Sequence, residues 1–247
     1  MMKYIGGEIY RLLRKKSIYI YFSALATGYV LLTLLRASNL DANDIVGDAM
    51  NMFSLLPVIA GGFLFAAVYT DDLAAKNLAA LVGFGLGKVN IVLAKLVLCA
   101  LLGAVIYALG PLVMYVAYAM LGFMTSGEAM ALVYTEALRI YLLTTAYMVL
   151  SGVAVYGLQR TTFAMVTYLL LALGVVSQLL SLLLNWEVVR SVLPSLSNLL
   201  MPNISMRLVD GFLMNDGFLS PLIEYILYVA IAAALSIFAF YKKEIEF

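Results

Sequence analysis

Histidine is absent from the 247 residues. That removes the commonest general base and the commonest metal ligand. Cys99 is the only cysteine, so neither an internal disulfide nor a thiolate cluster can form. Charge is scarce as well: 12% of residues are charged, against about 25% in an average globular protein. Fifteen Lys/Arg and 14 Asp/Glu cannot cover the surface of a soluble chain of 26.9 kDa. A net charge of +1 gives no basic field to attract phosphates, so no nucleic-acid partner is expected. What fills the sequence instead is apolar: 65% of residues are hydrophobic and the mean hydropathy is +1.03. The bilayer is the natural solvent for such a chain, and an all-α membrane protein is the expected fold class.

A bilayer core about 30 Å thick needs about 20 mostly apolar residues per helical crossing. Six stretches meet this, at roughly 18–35, 52–69, 96–123, 140–158, 163–184 and 222–241. The first is too long for the apolar core of a signal peptide, and Leu35-Arg36 offers no small-residue cleavage site, so it reads as an uncleaved span. With the N-terminus inside, the inner segments hold Lys3, Arg11, Arg14, Lys15, Lys16, Lys76, Lys88, Lys95, Arg160, Lys242 and Lys243. The outer segments hold only Arg36, Arg139, Arg190 and Arg207. This positive-inside bias sets both termini in the cytoplasm.

Residues 2–16 precede the first span. Tyr4, Ile5, Ile9, Leu12 and Leu13 recur at helical spacing, with Lys3, Glu8, Arg11 and Arg14 largely on another face. The pattern predicts an amphipathic helix lying along the inner membrane surface. Residues 71–95 form an inner loop longer than a chain reversal requires. Asp71 and Asp72 suit a helix N-terminus, a short helix follows over 73–82, and Gly83-Phe84-Gly85-Leu86-Gly87 stops it. Phe84 and Leu86 then stand near the tip of a turn facing water, and apolar residues so placed generally dock against something. The glycine run is no phosphate loop. It is one residue too short, Val89 stands where Ser or Thr is needed after Lys88, and no strand precedes it. The chain is not expected to bind or hydrolyse ATP, and no enzyme activity is assigned to it.

Elsewhere, Gly110-Pro111 interrupts the third span and predicts a kink that could gate. Glu136 and Arg139, three residues apart, can pair at the outer side. The outer loop over 186–219 carries two short apolar pieces, 188–193 and 196–201, which predict a re-entrant excursion before the last span.

The order of these parts resembles the ABC-2-type transporter permeases across essentially the whole chain: basic amphipathic N-terminal helix, six spans, long inner loop after span two, outer apolar excursion before span six. The inner loop carries the sharpest local likeness, in Asp71/Asp72, the helix over 73–82, Gly85-Leu86-Gly87-Lys88 and Lys95. Many members have Ser-Arg where this chain has Gly87-Lys88, and Lys-Gly-Thr where it has Lys76-Asn77-Leu78. The resemblance implies one transmembrane permease domain in a bacterial cell membrane, working as a pair with a second permease copy. Each copy would bind a separate ATP-binding cassette ATPase, which would hold the ATP and magnesium. Asp71, Asp72, Leu73, Lys76, Phe84, Gly85, Leu86 and Lys88 would form the coupling surface.

No Asp/Glu/His relay crosses the middle of the spans, which counts against proton coupling. The interior hydroxyls and amide (Ser23, Thr27, Thr33, Thr144, Thr145, Ser151, Thr167, Ser177, Gln178) are more often helix-packing groups than substrate contacts. Aromatic and methionine content suits a hydrophobic or amphipathic cargo such as a small peptide, toxin, bacteriocin or drug. The competing expectation is a non-transporting immunity or accessory protein that binds a peptide or a partner complex. An intramembrane enzyme lacks evident machinery.

Overall fold

The computed structural model describes residues 2–36, 45–70, 73, 77–123, 125–187, 196–214 and 217–243. Ten helices and one short 3-10 turn account for nearly all of them, and no strand occurs among the described residues. In order these are α1 (Met2–Leu13), α2 (Lys16–Arg36), α3 (Ile45–Thr70), α4 (Asn77–Gly83), α5 (Lys88–Met120), α6 (Gly127–Leu158), α7 (Thr161–Ala172), α8 (Val175–Leu184), α9 (Met201–Met214) and α10 (Leu219–Lys242). A helix satisfies its own backbone hydrogen bonds, which is what a chain this apolar requires in lipid.

Four unbroken helices are long and apolar enough to cross a membrane: α3, α5, α6 and α10. A fifth crossing arises if α7 and α8 are taken together, and these meet at a 57° bend. The sequence predicts one continuous span over 163–184. The structure breaks it at Leu173-Gly174, where Gly174 takes φ +73 and starts α8. Hydropathy stays high through that point, so the break leaves no trace in an apolar profile. In α2 the apolar helix is the shorter stretch Ile18–Leu31. The helices also extend beyond the expected spans: α3 begins at Ile45 and α6 at Gly127, so Glu136 and Arg139 lie within a helix rather than in a loop.

The outer segment differs most from expectation. Its first apolar piece, 188–193, lies outside the described residues. The second is split between a 3-10 turn (Leu196–Leu199) and the start of α9, which buries Met201, Ile204, Leu208 and Val209 against α6 and α10. Pro202 sits in the first turn of α9, where its missing N–H is no loss.

The core runs along α6, which packs against α5, α7 and, most extensively, α10. Small residues meet at the α6–α10 crossing: Gly152 lies against Ser236 and Gly157 against Ala239. A Cβ on Gly152 would lie 3.0 Å from Ser236 Oγ, so the backbones approach as closely as side chains permit.

Within α3, Pro57–Gly61 and Ala66–Thr70 are π-helical. In each, a carbonyl is taken by a side chain from another helix. Tyr168 donates its hydroxyl to the Pro57 carbonyl, and Lys95 donates to that of Val68. Widened turns of this kind concentrate at functional sites.

Candidate functional site

Of the inner loop, Asp71, Asp72 and Lys76 lie outside the described residues. Leu73 is half-buried and packs on the core. The loop helix α4 ends in a reciprocal backbone cap: Leu86 N donates to Leu81 O at 3.2 Å and Gly85 N to Val82 O at 3.0 Å. This pair requires a left-handed residue after the helix, which Gly85 supplies at φ +83. The turn separates the two apolar tip residues. Leu86 folds back against the core, whereas Phe84 projects with 86% of its surface exposed.

Lys88 is engaged inside the protein. Its Nζ donates to the carbonyls of Phe240 at 2.8 Å and Lys243 at 3.5 Å, and lies 5.1 Å from the centre of the Phe240 ring. The cation thus sits at the C-terminus of α10, where the last carbonyls lack helical partners and the helix dipole is negative. The inner loop and the last helix are thereby tied together across 152 residues of sequence.

Seven residues further on, Lys95 is 1% exposed, within a helix otherwise apolar. It donates to Glu8 Oε2 at 2.8 Å and to the Val68 carbonyl at 3.2 Å, and lies 5.9 Å from the centre of the Tyr4 ring. The same Glu8 oxygen accepts from Arg11 Nη2 at 2.7 Å. A buried ammonium is tolerable only when its charge and donors are matched, and here they are. The node joins α1, the end of α3 and the start of α5, which are the N-terminal helix and both stems of the inner loop. It also revises α1. Glu8 and Leu12 face inward together, while Tyr10 and Leu13 are exposed. The expected polar face is thus partly the docking face. Glu8 carried one sequence signal, its i,i+3 spacing to Arg11, but nothing local could link it to Lys95.

At the opposite end of the helices, Arg139 and Glu136 form a two-point ion pair, with Nε to Oε2 at 2.8 Å and Nη2 to Oε1. A second pair was not foreseen: Arg207 of α9 meets Glu224 of α10 and also donates to the Asn198 carbonyl at 2.8 Å. Asp48, 5% exposed, accepts from the Tyr118 hydroxyl at 2.8 Å. The chain continues as one helix, α5, through Gly110 and Pro111. Both residues are buried, and a Cβ on Gly110 would touch the Phe53 ring at 3.5 Å.

The interior hydroxyls turn to their own helices. Thr33, Thr144, Thr145, Ser151 and Thr167 each donate to the carbonyl four residues earlier. Ser23 and Ser177 donate to the carbonyl three residues earlier. Thr144 also shares a hydrogen with Tyr107 at 2.7 Å. Their visible work is helix packing. Among the described residues no group of three His, Cys, Asp or Glu is placed to hold a metal ion.

The sequence matches no protein-family model and no curated relative. The fold itself defines a class: an all-helical chain with four, or with the bent pair five, apolar helices of membrane-spanning length, the architecture of a multi-pass membrane protein.

Proposed function

We propose that this chain is the transmembrane subunit of an ATP-driven exporter of the ABC-2 type in a bacterial cell membrane. It would pair with a second permease copy, each bound to a separate ATPase subunit at the cytoplasmic face. In this reading α2 supplies the remaining crossing, both termini are cytoplasmic, and the cargo is hydrophobic or amphipathic: a small peptide, toxin, bacteriocin or drug.

One observation carries the reading: the Phe84 turn is braced by contacts and its apolar tip is bare. The backbone cap at Gly85, the Lys88 contact with the end of α10 and the Lys95–Glu8 node brace this turn against three other helices. A plug that must pass a movement from an ATPase to the spans needs both features, an apolar contact and a stiff mounting. Leu73, Gly85 and Leu86 fit the mounting rather than the contact. Asp71, Asp72 and Lys76 stay in the proposal as flanking charge. ATP binding closes the ATPase pair, and the braced turn passes that closure into the bundle, the two-state element.

The test is Phe84→Asp in a chain co-expressed with an ATP-binding cassette subunit from the same genome that binds the wild type. Co-purification should be lost while membrane insertion stays intact. Retained co-purification with full transport would refute the coupling role of Phe84, whereas a wild-type chain that binds no ATPase subunit would favour an immunity or accessory protein.

A further inference from the structure

Helix α1 has little of its own to keep it folded. It is 12 residues long, short enough that a helix depends on outside contacts to persist. Gly6 and Gly7 stand side by side in its middle, both exposed, and a Cβ on either would meet nothing within 4 Å. No close approach calls for glycine there, and each weakens the helix relative to alanine. Its hold on the bundle is equally narrow. Among its described side chains only Glu8 and Leu12 are buried, with Ile9 packed on the core beside them. Tyr10, Leu13 and Arg14 face outward. A break at Arg14-Lys15 separates α1 from α2, so α1 can swing without bending a continuous helix.

We infer that α1 is a latch on the inner loop: it docks and undocks as a unit, fastened by Glu8 on Lys95, and its release is linked to movement of the loop's two stems. The link is one shared ammonium. Lys95 Nζ holds Glu8 of α1 at 2.8 Å and, at the same time, the Val68 carbonyl in the widened last turn of α3 at 3.2 Å. Lys95 itself belongs to the stem by which the chain returns from the loop into α5. Hydrogen bonds weaken steeply with distance and misalignment, so spreading the two stems pulls Lys95 off one partner or the other. The release is made easier by Arg11. Its Nη2 donates to the same Glu8 oxygen at 2.7 Å from three residues along the same helix. An undocking α1 therefore takes a counter-charge for Glu8 with it, and Lys95 keeps the Val68 carbonyl. Linkage of this kind is reciprocal: whatever displaces the loop loosens α1, and whatever holds α1 down stiffens the loop. The latch does not depend on the transport reading, since any partner that moved the inner loop would act on it in the same way.

The test is hydrogen exchange of the full chain in lipid nanodiscs, read by mass spectrometry over residues 2–14, 66–70 and the interior of α6. In the wild type, 2–14 should exchange together, about a hundredfold faster than α6 but well below the rate of an unfolded chain. Gly6→Ala and Gly7→Ala should each slow exchange over 2–14 by about fivefold, because alanine strengthens the docked helix and has room there. Glu8→Gln should speed exchange over 2–14 by about tenfold or more relative to α6, because the fastening charge is gone. It should also speed exchange over 66–70, which Glu8 reaches through Lys95. A wild type in which 2–14 exchanges no faster than α6, or as fast as an unfolded chain, would overturn the latch. Glu8→Gln that frees 2–14 and leaves 66–70 unchanged would overturn its linkage to the loop. Should Glu8→Gln fail to fold, the wild type and the two glycine variants still decide whether α1 opens as a unit.

Discussion

The pair of Lys95 and Glu8 is where single residues carry most of the structural consequence. Both are buried: removing Glu8 strands the Lys95 ammonium without its counter-charge, at a cost of about 3–5 kcal/mol, whereas removing Lys95 leaves Glu8 paired with Arg11 and costs less. Glu8→Gln and Lys95→Met should each lower the melting temperature in detergent markedly. The combined Glu8→Leu/Lys95→Met variant should be more stable than the sum of the single losses, because the buried ammonium and its carboxylate are removed together. Strictly additive losses would mean that the two side chains do not interact. Gly61 makes a second residue-scale claim. A Cβ there would overlap the Tyr168 hydroxyl and lie 2.7 Å from Thr144 Cγ2. Gly61→Ala should therefore destabilise by about 1–3 kcal/mol, and adding Tyr168→Phe should recover part of the loss. Unchanged melting of Gly61→Ala would show that α3 and α7 are not locked at this point.

At the scale of elements, what could be read from sequence and what could not divide along physical lines. The glycine stop after the short inner helix was legible, because a helix end that needs a left-handed residue advertises itself with glycine, here Gly85. The Glu136–Arg139 pair was legible because three residues of helix bring the two side chains together. The Lys95–Glu8 and Lys88–Phe240 contacts were not, since hydropathy and periodicity do not say which residues of different helices meet. The break at Gly174 was hidden inside a uniformly apolar run. Helix α9 was missed because the apolar run considered ends at Met201, where the helix begins, and Asn203, Arg207 and Asp210 break up the hydropathy beyond it. Arg207 belongs to this scale, since it pins α9 to α10 and to the 3-10 turn. Arg207→Met should speed proteolysis within 196–218 in detergent while leaving the melting of the main bundle little changed. A uniform fall in stability would mean that α9 does not open separately from the bundle.

For the whole molecule, the distribution of burial is informative. The apolar stretch of α3 is 61% buried, whereas that of α10 is only 11% buried. A helix so open and so apolar faces lipid or another copy, and its inner end is the one held by Lys88. The bundle is thus braced at one end by two lysines, each drawn into the carbonyl-rich end or widened turn of a neighbouring helix. Beyond that bracing, Phe84 stands bare at the tip of the turn. This arrangement is the physical basis for treating the chain as a pathway driven from outside itself.

The most direct test of that claim is whether the wild-type chain binds an ATPase at all. The chain and a candidate ATP-binding cassette subunit from the same genome are co-expressed, extracted in mild detergent and sized by light scattering. The account predicts a complex with one ATPase per permease chain, whose ATP hydrolysis rises when amphipathic peptide cargo is added. A chain that elutes alone under every extraction condition, with ATPase activity indifferent to its presence, would contradict it.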